Sequence, residues 1–177
     1  MNSIKQIEVL LADRLVGRLA LTKEGLCAFE YAPDWLGSGF SISPFELPLR
    51  SGVFIAKPRP FEGGFGVFDD CLPDGWGLLI LDRYLQQKGI NPRALTLLDR
   101  LALVGSSGRG ALEFRPDHSV VTRQDYADFE KLALEAERIL DSDEYRGKGI
   151  EEFQDRGGSP GGARPKIFAR YEGKEWL

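Results

Sequence analysis

Three short apolar runs near the N-terminus constrain the fold of this chain more than any other feature. The segment from Ile7 to Tyr31, IEVLLADRLVGRLALTKEGLCAFEY, separates these runs with the polar connections ADR and TKEG. Connections that short, made of turn-forming residues, join strands that are neighbours in a sheet. The pattern therefore predicts an antiparallel β-meander.

Composition narrows the class of protein. The chain has 177 residues, 42% of them hydrophobic, and a formal net charge of -4. It is long enough for one domain or one and a half, and its charge gives no bulk attraction to nucleic acid or to an anionic membrane. The N-terminus has no signal-peptide pattern and the chain has no long apolar span, so we expect a soluble cytoplasmic protein that contacts DNA only through a partner.

Residues 32–70 are rich in Gly, Pro, Ser and Phe, and they predict loops and short strands around aromatic anchors. The sequence after residue 70 has a helical pattern. Apolar spacing predicts a helix over residues 78–88, with Gly89 where a C-terminal glycine belongs. Asn91 and Pro92 predict the start of a second helix that runs to about Leu103, followed by the loop GSSGRG and a strand ALEF.

A third helix is predicted to begin at Thr122, with Asp125 at capping-box spacing. Its apolar face comprises Phe129, Leu132, Ala136, Ile139 and Leu140. The polar sequence DSDEYRGKGIEEFQDR that follows is interpreted as a linker.

The segment GGSPGGARPK, residues 157–166, has the residue types of a phosphate-binding loop. Its glycines are Gly157, Gly158, Gly161 and Gly162, and its polar side chains are Ser159, Arg164 and Lys166. Glycines let backbone N–H groups turn toward an anion, and the two cations add charge. The following KIFARYEGKEWL predicts a hairpin that turns at Glu172-Gly173. A glycine-rich turn before a hairpin is the opening of a protein-kinase-like N-lobe. The segment contains neither the G-x-G-x-x-G motif of kinases nor the Walker motif of P-loop proteins. The alternative interpretation is therefore a flexible connection.

Other candidate sites have simpler interpretations. GSSGRG follows a helix, in the wrong order for a helix N-terminus to bind an anion there, and we interpret it as a tight turn. In LPDGWG we interpret Asp74 as a helix cap and Trp76 as a core residue. The single histidine, His118, is interpreted as a solvated loop residue, and Cys27 and Cys71 as buried thiols without metal-ligand spacing.

The quoted motifs together carry a resemblance to a known family. VLLADRLVGRLAL, FEYAPDWL, SISPFELPL, FDDCLPDGWG, LDRLALVGSSGRGALEF and GGSPGGARPK occur in that order over nearly the whole chain. In order and spacing they resemble the N-terminal portion of the HipA family, the bacterial serine/threonine kinase toxins of type II toxin–antitoxin systems that are associated with persistence.

The resemblance implies a kinase that uses ATP and Mg²⁺, phosphorylates a protein such as an aminoacyl-tRNA synthetase, and is restrained by a HipB-like helix-turn-helix antitoxin. It also implies that GGSPGGARPK is the family's glycine-rich loop and that Ser159 is the autophosphorylated residue. The implied nucleotide-binding residues are Gly157, Gly158, Ser159, Gly161, Gly162, Ala163 and Lys166.

In family members, the strand lysine, the catalytic aspartate and the metal ligands follow the strand that begins at Trp176. We therefore expect these 177 residues to be an N-terminal part of a kinase that is inactive by itself, with no catalytic residue and no metal ligand of its own. The alternative is a stand-alone, non-catalytic module that binds and regulates a separate HipA-like kinase.

The predicted fold class is α+β. Residues 1–121 form an N-terminal subdomain in which the meander packs on both helices between Asp74 and Leu103. Residues 122–149 form a connecting helix and linker. Residues 150–177 form the start of a kinase-like lobe, with the glycine-rich loop.

Overall fold

Two separate hydrophobic cores organise the chain. The structure is a computed structural model that describes residues 4–108, 110–119, 129–142, 145, 147, 149–156, 162–167, 171–172 and 175–176. The first unit comprises Met1–Leu72 and Leu95–Ser119, and the second comprises Pro73–Ala94 and Val120–Leu177.

The first unit contains a five-stranded antiparallel sheet in the order β4-β3-β2-β1-β5. Its strands are β1 Gln6–Leu11, β2 Arg14–Leu21, β3 Cys27–Tyr31, β4 Val53–Ile55 and β5 Leu112–Arg115. The predicted meander β1–β2–β3 and the predicted strand ALEF are confirmed. Ala12 and Asp13 both have positive φ, 48° and 60°, which gives the tight connection between β1 and β2 the twist that a two-residue hairpin requires.

Six helices are present among the described residues. They are α1 Pro33–Ser38, α2 Gly66–Asp69, α3 Gly75–Gln87, α4 Leu97–Val104, α5 Phe129–Asp141 and α6 Gly149–Arg156, with a 3₁₀ turn at Pro92–Ala94. The prediction of loops and short strands for residues 32–70 misses α1 and α2, which are only six and four residues long. Helices that short show too little of the 3.6-residue period to be distinguished from loops.

The core of the first unit lies between the sheet and helices α1, α2 and α4. Its largest fully buried side chains include Phe29 of β3, Trp35 of α1, Phe68 of α2, Leu101 of α4 and Phe114 of β5. Phe68 contacts Phe29 and Phe114 with ring centroids 5.5 and 6.4 Å apart. Aromatic side chains therefore connect the short helix α2 to strands that are distant in sequence.

The helix predicted from Asn91 to about Leu103 is not a single helix in the structure. Asn91 Oδ1 accepts a hydrogen bond from Arg93 N–H, but it caps only the 3₁₀ turn. A new helix, α4, then begins after Thr96, whose hydroxyl accepts from Asp99 N–H while the Asp99 carboxylate accepts from Thr96 N–H. The side chains of Thr96 and Asp99 each accept a hydrogen bond from a main-chain N–H group at the start of α4. In a continuing helix these N–H groups would donate to carbonyl oxygens of the preceding turn, so the capping box marks the start of a separate helix.

In the described part of the second unit, the helices α3, α5 and α6 surround a second core. Its buried residues are Trp76 and Ile80 of α3, Leu132, Ala136 and Ile139 of α5, and Ile150 and Phe153 of α6. Arg83 of α3 is buried and donates to the Ile139 carbonyl oxygen near the end of α5. A cation there satisfies a carbonyl that the helix leaves unpaired.

Several predictions for the second unit need correction. The segment interpreted as a linker contains α6, which buries Ile150 and Phe153. The prediction that the meander packs on both helices is wrong for α3, because the core residues Trp76 and Ile80 belong to the second unit. On α5, Leu132, Ala136 and Ile139 are buried as predicted, but Leu140 is 53% exposed.

Other predictions are confirmed or lie outside the described residues. Helix α3 ends before Gly89, whose φ is +74°, as the sequence predicts. The predicted cap at Thr122 and Asp125 and the side chain of Phe129 lie outside the described residues. Near the C-terminus, β6 Tyr171–Glu172 pairs antiparallel with β7 Glu175–Trp176, which confirms the predicted hairpin. Its predicted turn at Glu172-Gly173 is wrong, because Glu172 lies in β6 and pairs with Glu175. The boundaries at residues 121 and 149 stay a prediction.

Candidate functional site

The structure describes the C-terminal end of the predicted glycine-rich loop. Residues 157–161, which include Gly157, Gly158, Ser159 and Gly161, lie outside the described residues. Residues 162–167 are described, and the loop comes between α6, which ends at Arg156, and the β6–β7 hairpin. The hairpin therefore follows the glycine-rich segment as the sequence predicts, whereas the helix α6 before that segment is not predicted.

Gly162 and Lys166 lie beside each other at this end of the loop. Gly162 has a φ of +82°, and a Cβ atom built on it would lie 3.1 Å from Lys166 Nζ. Ala163 and Arg164 are exposed, and Lys166 is half-buried. The Lys166 ammonium group and the Asp74 carboxylate therefore both lie beside the main chain of Gly162.

The main chain of Gly162 binds the start of α3, a contact that the sequence analysis does not anticipate. Trp76 N–H donates to the Gly162 carbonyl oxygen at 2.9 Å, and Gly162 N–H donates to Asp74 Oδ1 at 3.2 Å. Asp74 and Gly162 are 88 residues apart in the chain. The structure thus brings the LPDGWG motif and the glycine-rich loop together, although no local pattern in either segment encodes the pairing.

The two sequence interpretations of LPDGWG have different outcomes. Trp76 is 2% exposed and belongs to the second core, so its interpretation as a core residue is confirmed. Asp74 occupies the N-cap position of α3, but its side chain makes no capping hydrogen bond. The interpretation of Asp74 as a side-chain cap is wrong, because its carboxylate binds the loop instead.

The second glycine-rich segment, GSSGRG, forms a turn after α4. Gly105 has a φ of +52°, and a Cβ atom there would overlap the carboxylate of Asp117. That carboxylate accepts from the N–H groups of Ser106 and Ser119 at 3.0 and 2.8 Å. Partial desolvation opposes ionisation of Asp117, but these hydrogen bonds outweigh it and lower its pKa. A protein carboxylate already binds this turn, and its interpretation as structural is confirmed for the described residues.

The remaining candidate residues show no reactive arrangement. Burial raises the pKa of Cys27 and of Cys71 to about 11, so both thiols are protonated at neutral pH. Cys27 is buried as predicted, whereas Cys71 is half-buried, and His118 is exposed on a loop. Within the described part of the chain, no three His, Cys, Asp or Glu side chains are grouped so that they could hold a metal ion.

The length and hydropathy of the helices can be compared with those of a membrane-spanning helix. Among the residues that the structure describes, no helix has the length and the apolar character that crossing a bilayer would require.

Comparison with known proteins assigns the chain to a family. The model of the HipA N-terminal domain matches residues 7–115, which is more than half of the chain and includes α1–α4 and all of the sheet except Gln6, the first residue of β1. The protein therefore belongs to the HipA N-terminal domain family. The resemblance that the sequence motifs carry is confirmed.

A solved structure shows the same fold. It is the complex of the Shewanella oneidensis MR-1 toxin–antitoxin system HipA, HipB and its operator DNA. A chain of that complex matches with a TM-score of 0.55 and 24% identity over 96% of this chain. The match spans 37% of the length of the other chain. The predicted α+β fold is thus confirmed.

Proposed function

We propose that this chain is the N-terminal part of a HipA-type toxin, which in its complete form is an ATP-dependent serine/threonine protein kinase. The family match over residues 7–115 supports the assignment to this type of toxin. The observation that carries the proposal is the β6–β7 hairpin after the glycine-rich loop, with Lys166 beside Gly162. A glycine-rich turn followed by a hairpin is the arrangement that opens a kinase-like N-lobe.

In this proposal the glycine-rich loop receives the phosphates of ATP. Gly157, Gly158, Gly161 and Ala163 supply main-chain N–H groups, Gly162 supplies the positive φ that the turn requires, Ser159 supplies a hydroxyl, and Lys166 supplies positive charge. Bound ATP supplies the transferred phosphoryl group, and Mg²⁺ neutralises its phosphate charge. The 177 residues by themselves are proposed to have no kinase activity and at most weak ATP affinity.

The partner in this proposal is a HipB-like helix-turn-helix antitoxin, and contact with DNA goes through that antitoxin. The solved relative was crystallised as a complex of HipA, HipB and operator DNA, which supports this choice of partner. The net charge of -4 on this chain also favours indirect contact with DNA. A protein substrate such as an aminoacyl-tRNA synthetase, phosphorylation of Ser159 and a cytoplasmic location complete the proposal.

The loop assignment is tested by two substitutions of Ser159 in the complete protein, with ATP affinity measured by calorimetry. Ser159→Asp places a negative charge among the phosphates and is expected to weaken ATP binding about tenfold or more. Ser159→Ala is expected to bind ATP within about threefold of the wild type, because the main-chain N–H groups supply most of the contacts.

Ser51→Asp is the matched control, since it adds the same charge at an exposed position of the first unit. Equal ATP affinities for the wild type and all three variants would contradict the loop assignment. A complete protein that binds a HipA-like kinase but no ATP would instead support the stand-alone module.

A further inference from the structure

The start of α3 and the end of the glycine-rich loop form a small junction, which we name the Gly162 clamp and define as Asp74, Gly75, Trp76 and Gly162. Both main-chain polar groups of Gly162 are bound within it. The carbonyl oxygen accepts from Trp76 N–H at 2.9 Å, and the N–H group donates to Asp74 Oδ1 at 3.2 Å. Two hydrogen bonds to one residue fix both its position and its orientation.

The clamp requires glycine on both sides. Gly75 has a φ of +45°, and a Cβ atom built there would lie 2.5 Å from the carbonyl carbon and oxygen of Gly162. The same Cβ would lie 2.8 Å from Ala163 N. Gly162 itself has a φ of +82°. Side chains disfavour such φ values at both positions, and a side chain at Gly75 would also separate the two main chains.

The clamp is attached to the second core. Trp76 is 2% exposed and meets the ring of Phe153 edge-on, with centroids 5.2 Å apart and an interplanar angle of 88°. Ile167, which follows the loop, packs against the same core. The residues before and after the glycine-rich loop therefore both pack with α3, and the clamp adds a third attachment inside the loop sequence.

We propose that Asp74 is a positioning residue for nucleotide binding, which together with Trp76 N–H holds the C-terminal end of the glycine-rich loop in the conformation that receives phosphate. This inference rests on the proposed function. A loop that is already ordered avoids the entropy cost of ordering on binding, so ATP binds it more tightly. Asp74 acts through the position of Gly162 and does not touch the nucleotide.

An alternative role for Asp74 is competition, because its carboxylate binds an N–H group that a phosphate could use. The bond from Trp76 N–H to the Gly162 carbonyl oxygen favours positioning. An ionised phosphate accepts hydrogen bonds and does not donate them, so a bond to that carbonyl has no counterpart in phosphate binding. The two roles predict opposite effects of removing the carboxylate.

The test measures ATP affinity and the KM for ATP in variants of the complete kinase. Asp74→Ala removes the acceptor for Gly162 N–H and is expected to raise the dissociation constant and KM about three- to tenfold, with little change in kcat at saturating ATP. Asp74→Asn keeps an acceptor oxygen and is expected to restore most of that affinity. Gly75→Ala is expected to weaken binding at least as much as Asp74→Ala, because its Cβ displaces Gly162.

Two control variants accompany the test. Asp70→Ala removes an exposed carboxylate four residues before Asp74, and Gly37→Ala adds a methyl group to a glycine with nothing within 4 Å of the new Cβ position. Both are expected to bind ATP as the wild type does. Tighter ATP binding by both Asp74→Ala and Asp74→Asn would overturn the proposal in favour of competition, and wild-type affinity for Asp74→Ala would overturn it outright.

A second measurement separates this inference from the proposed function. In the 177-residue chain without nucleotide, hydrogen exchange of the Gly162 amide is expected to be at least about fivefold faster in Asp74→Ala than in the wild type, and close to wild type in Asp74→Asn. If the complete protein binds no ATP, the proposed function fails while the exchange result still reports on the clamp. If ATP binds but neither ATP affinity nor exchange depends on Asp74, only the inference fails.

Discussion

At the scale of single residues, Asp99 contributes more to the fold than its place on a short helix indicates. Its Oδ2 accepts from Thr96 N–H at 2.9 Å and from the Thr96 hydroxyl at 2.7 Å. Its Oδ1 accepts from Ile4 N–H at 3.0 Å. Burial opposes ionisation of Asp99, but these hydrogen bonds outweigh it and lower its pKa. The ionised carboxylate therefore joins the chain before β1 to the first turn of α4.

We predict that Asp99→Ala lowers the free energy of unfolding by about 1–3 kcal/mol at neutral pH, because it leaves the partly buried donors of Ile4 and Thr96 without an acceptor. The pKa of Asp99 is lower in the folded than in the unfolded state, so its stabilisation is present above the unfolded pKa of about 3.9 and is lost as pH falls through the folded pKa. Urea unfolding at neutral pH and in acid measures both effects.

Glu24→Gln is the control for Asp99→Ala, since Glu24 is an exposed turn residue of the same unit. Its free energy of unfolding is expected to stay within about 0.5 kcal/mol of wild type. An Asp99→Ala difference that is as large in acid as at neutral pH would contradict the role given to the carboxylate.

At the scale of elements, the second unit depends on how α5 and α6 pack with α3. Phe153 of α6 is 4% exposed and contacts the ring of Trp76, and Ile139 of α5 is fully buried in the same cluster. Lys131 of α5 and Glu152 of α6 form an ion pair at 3.0 Å beside this cluster. The apolar contacts dominate, because an ion pair with an exposed lysine contributes at most about 1 kcal/mol.

We predict that Phe153→Ala destabilises the second unit by about 3–5 kcal/mol, since it removes a buried ring and leaves a cavity beside Trp76. Leu134→Ala on α5 is the matched control, because Leu134 is 57% exposed, and its cost is expected to stay within about 0.5 kcal/mol. Urea unfolding, followed by the near-ultraviolet circular dichroism of tryptophan, compares the two variants. Equal costs for both would show that the cluster contributes little stability.

At the scale of the whole molecule, the two units alternate along the chain. The second unit consists of Pro73–Ala94, which lies between the two segments of the first unit in the sequence, and of Val120–Leu177. Helix α3 therefore lies within the part of the sequence that the HipA N-terminal domain model matches, but packs with helices that come after it. A cut between residues 119 and 129 would separate α3 from its partners in the second core.

We predict that a fragment of residues 1–121 keeps the sheet but loses the protection of α3. Trp76 and Ile80 would have none of their core partners on α5 and α6, and an isolated helix of 13 residues is only marginally stable in water. Hydrogen exchange of the fragment and of the whole chain measures this difference at the amides of α3 and of β1–β3. Equal protection of α3 in the two chains would show that α3 does not need α5 and α6.

Some of this architecture could be predicted from the sequence because its causes are local. The meander is encoded by apolar runs and turn residues a few positions apart, and the end of α3 by a single glycine, Gly89. The sequence analysis does not predict the break before α4, although Thr96 and Asp99 carry its signal at capping-box spacing. It does not predict α6 either, because the eight residues of this helix are mostly polar and only Ile150 and Phe153 mark an apolar face.

The sequence by itself determined the meander, the order of loop and hairpin, and the glycine-rich composition of the loop, because each depends on residues close together in the chain. Only the tertiary structure decided that β5 pairs with β1, with Phe114 opposite Val9, and that α3 shares a core with α5 and α6. It also decided that Asp74 binds Gly162 instead of capping its own helix. These contacts join distant segments, and their partners are selected by burial and by competition among hydrogen-bond donors, which no local pattern records.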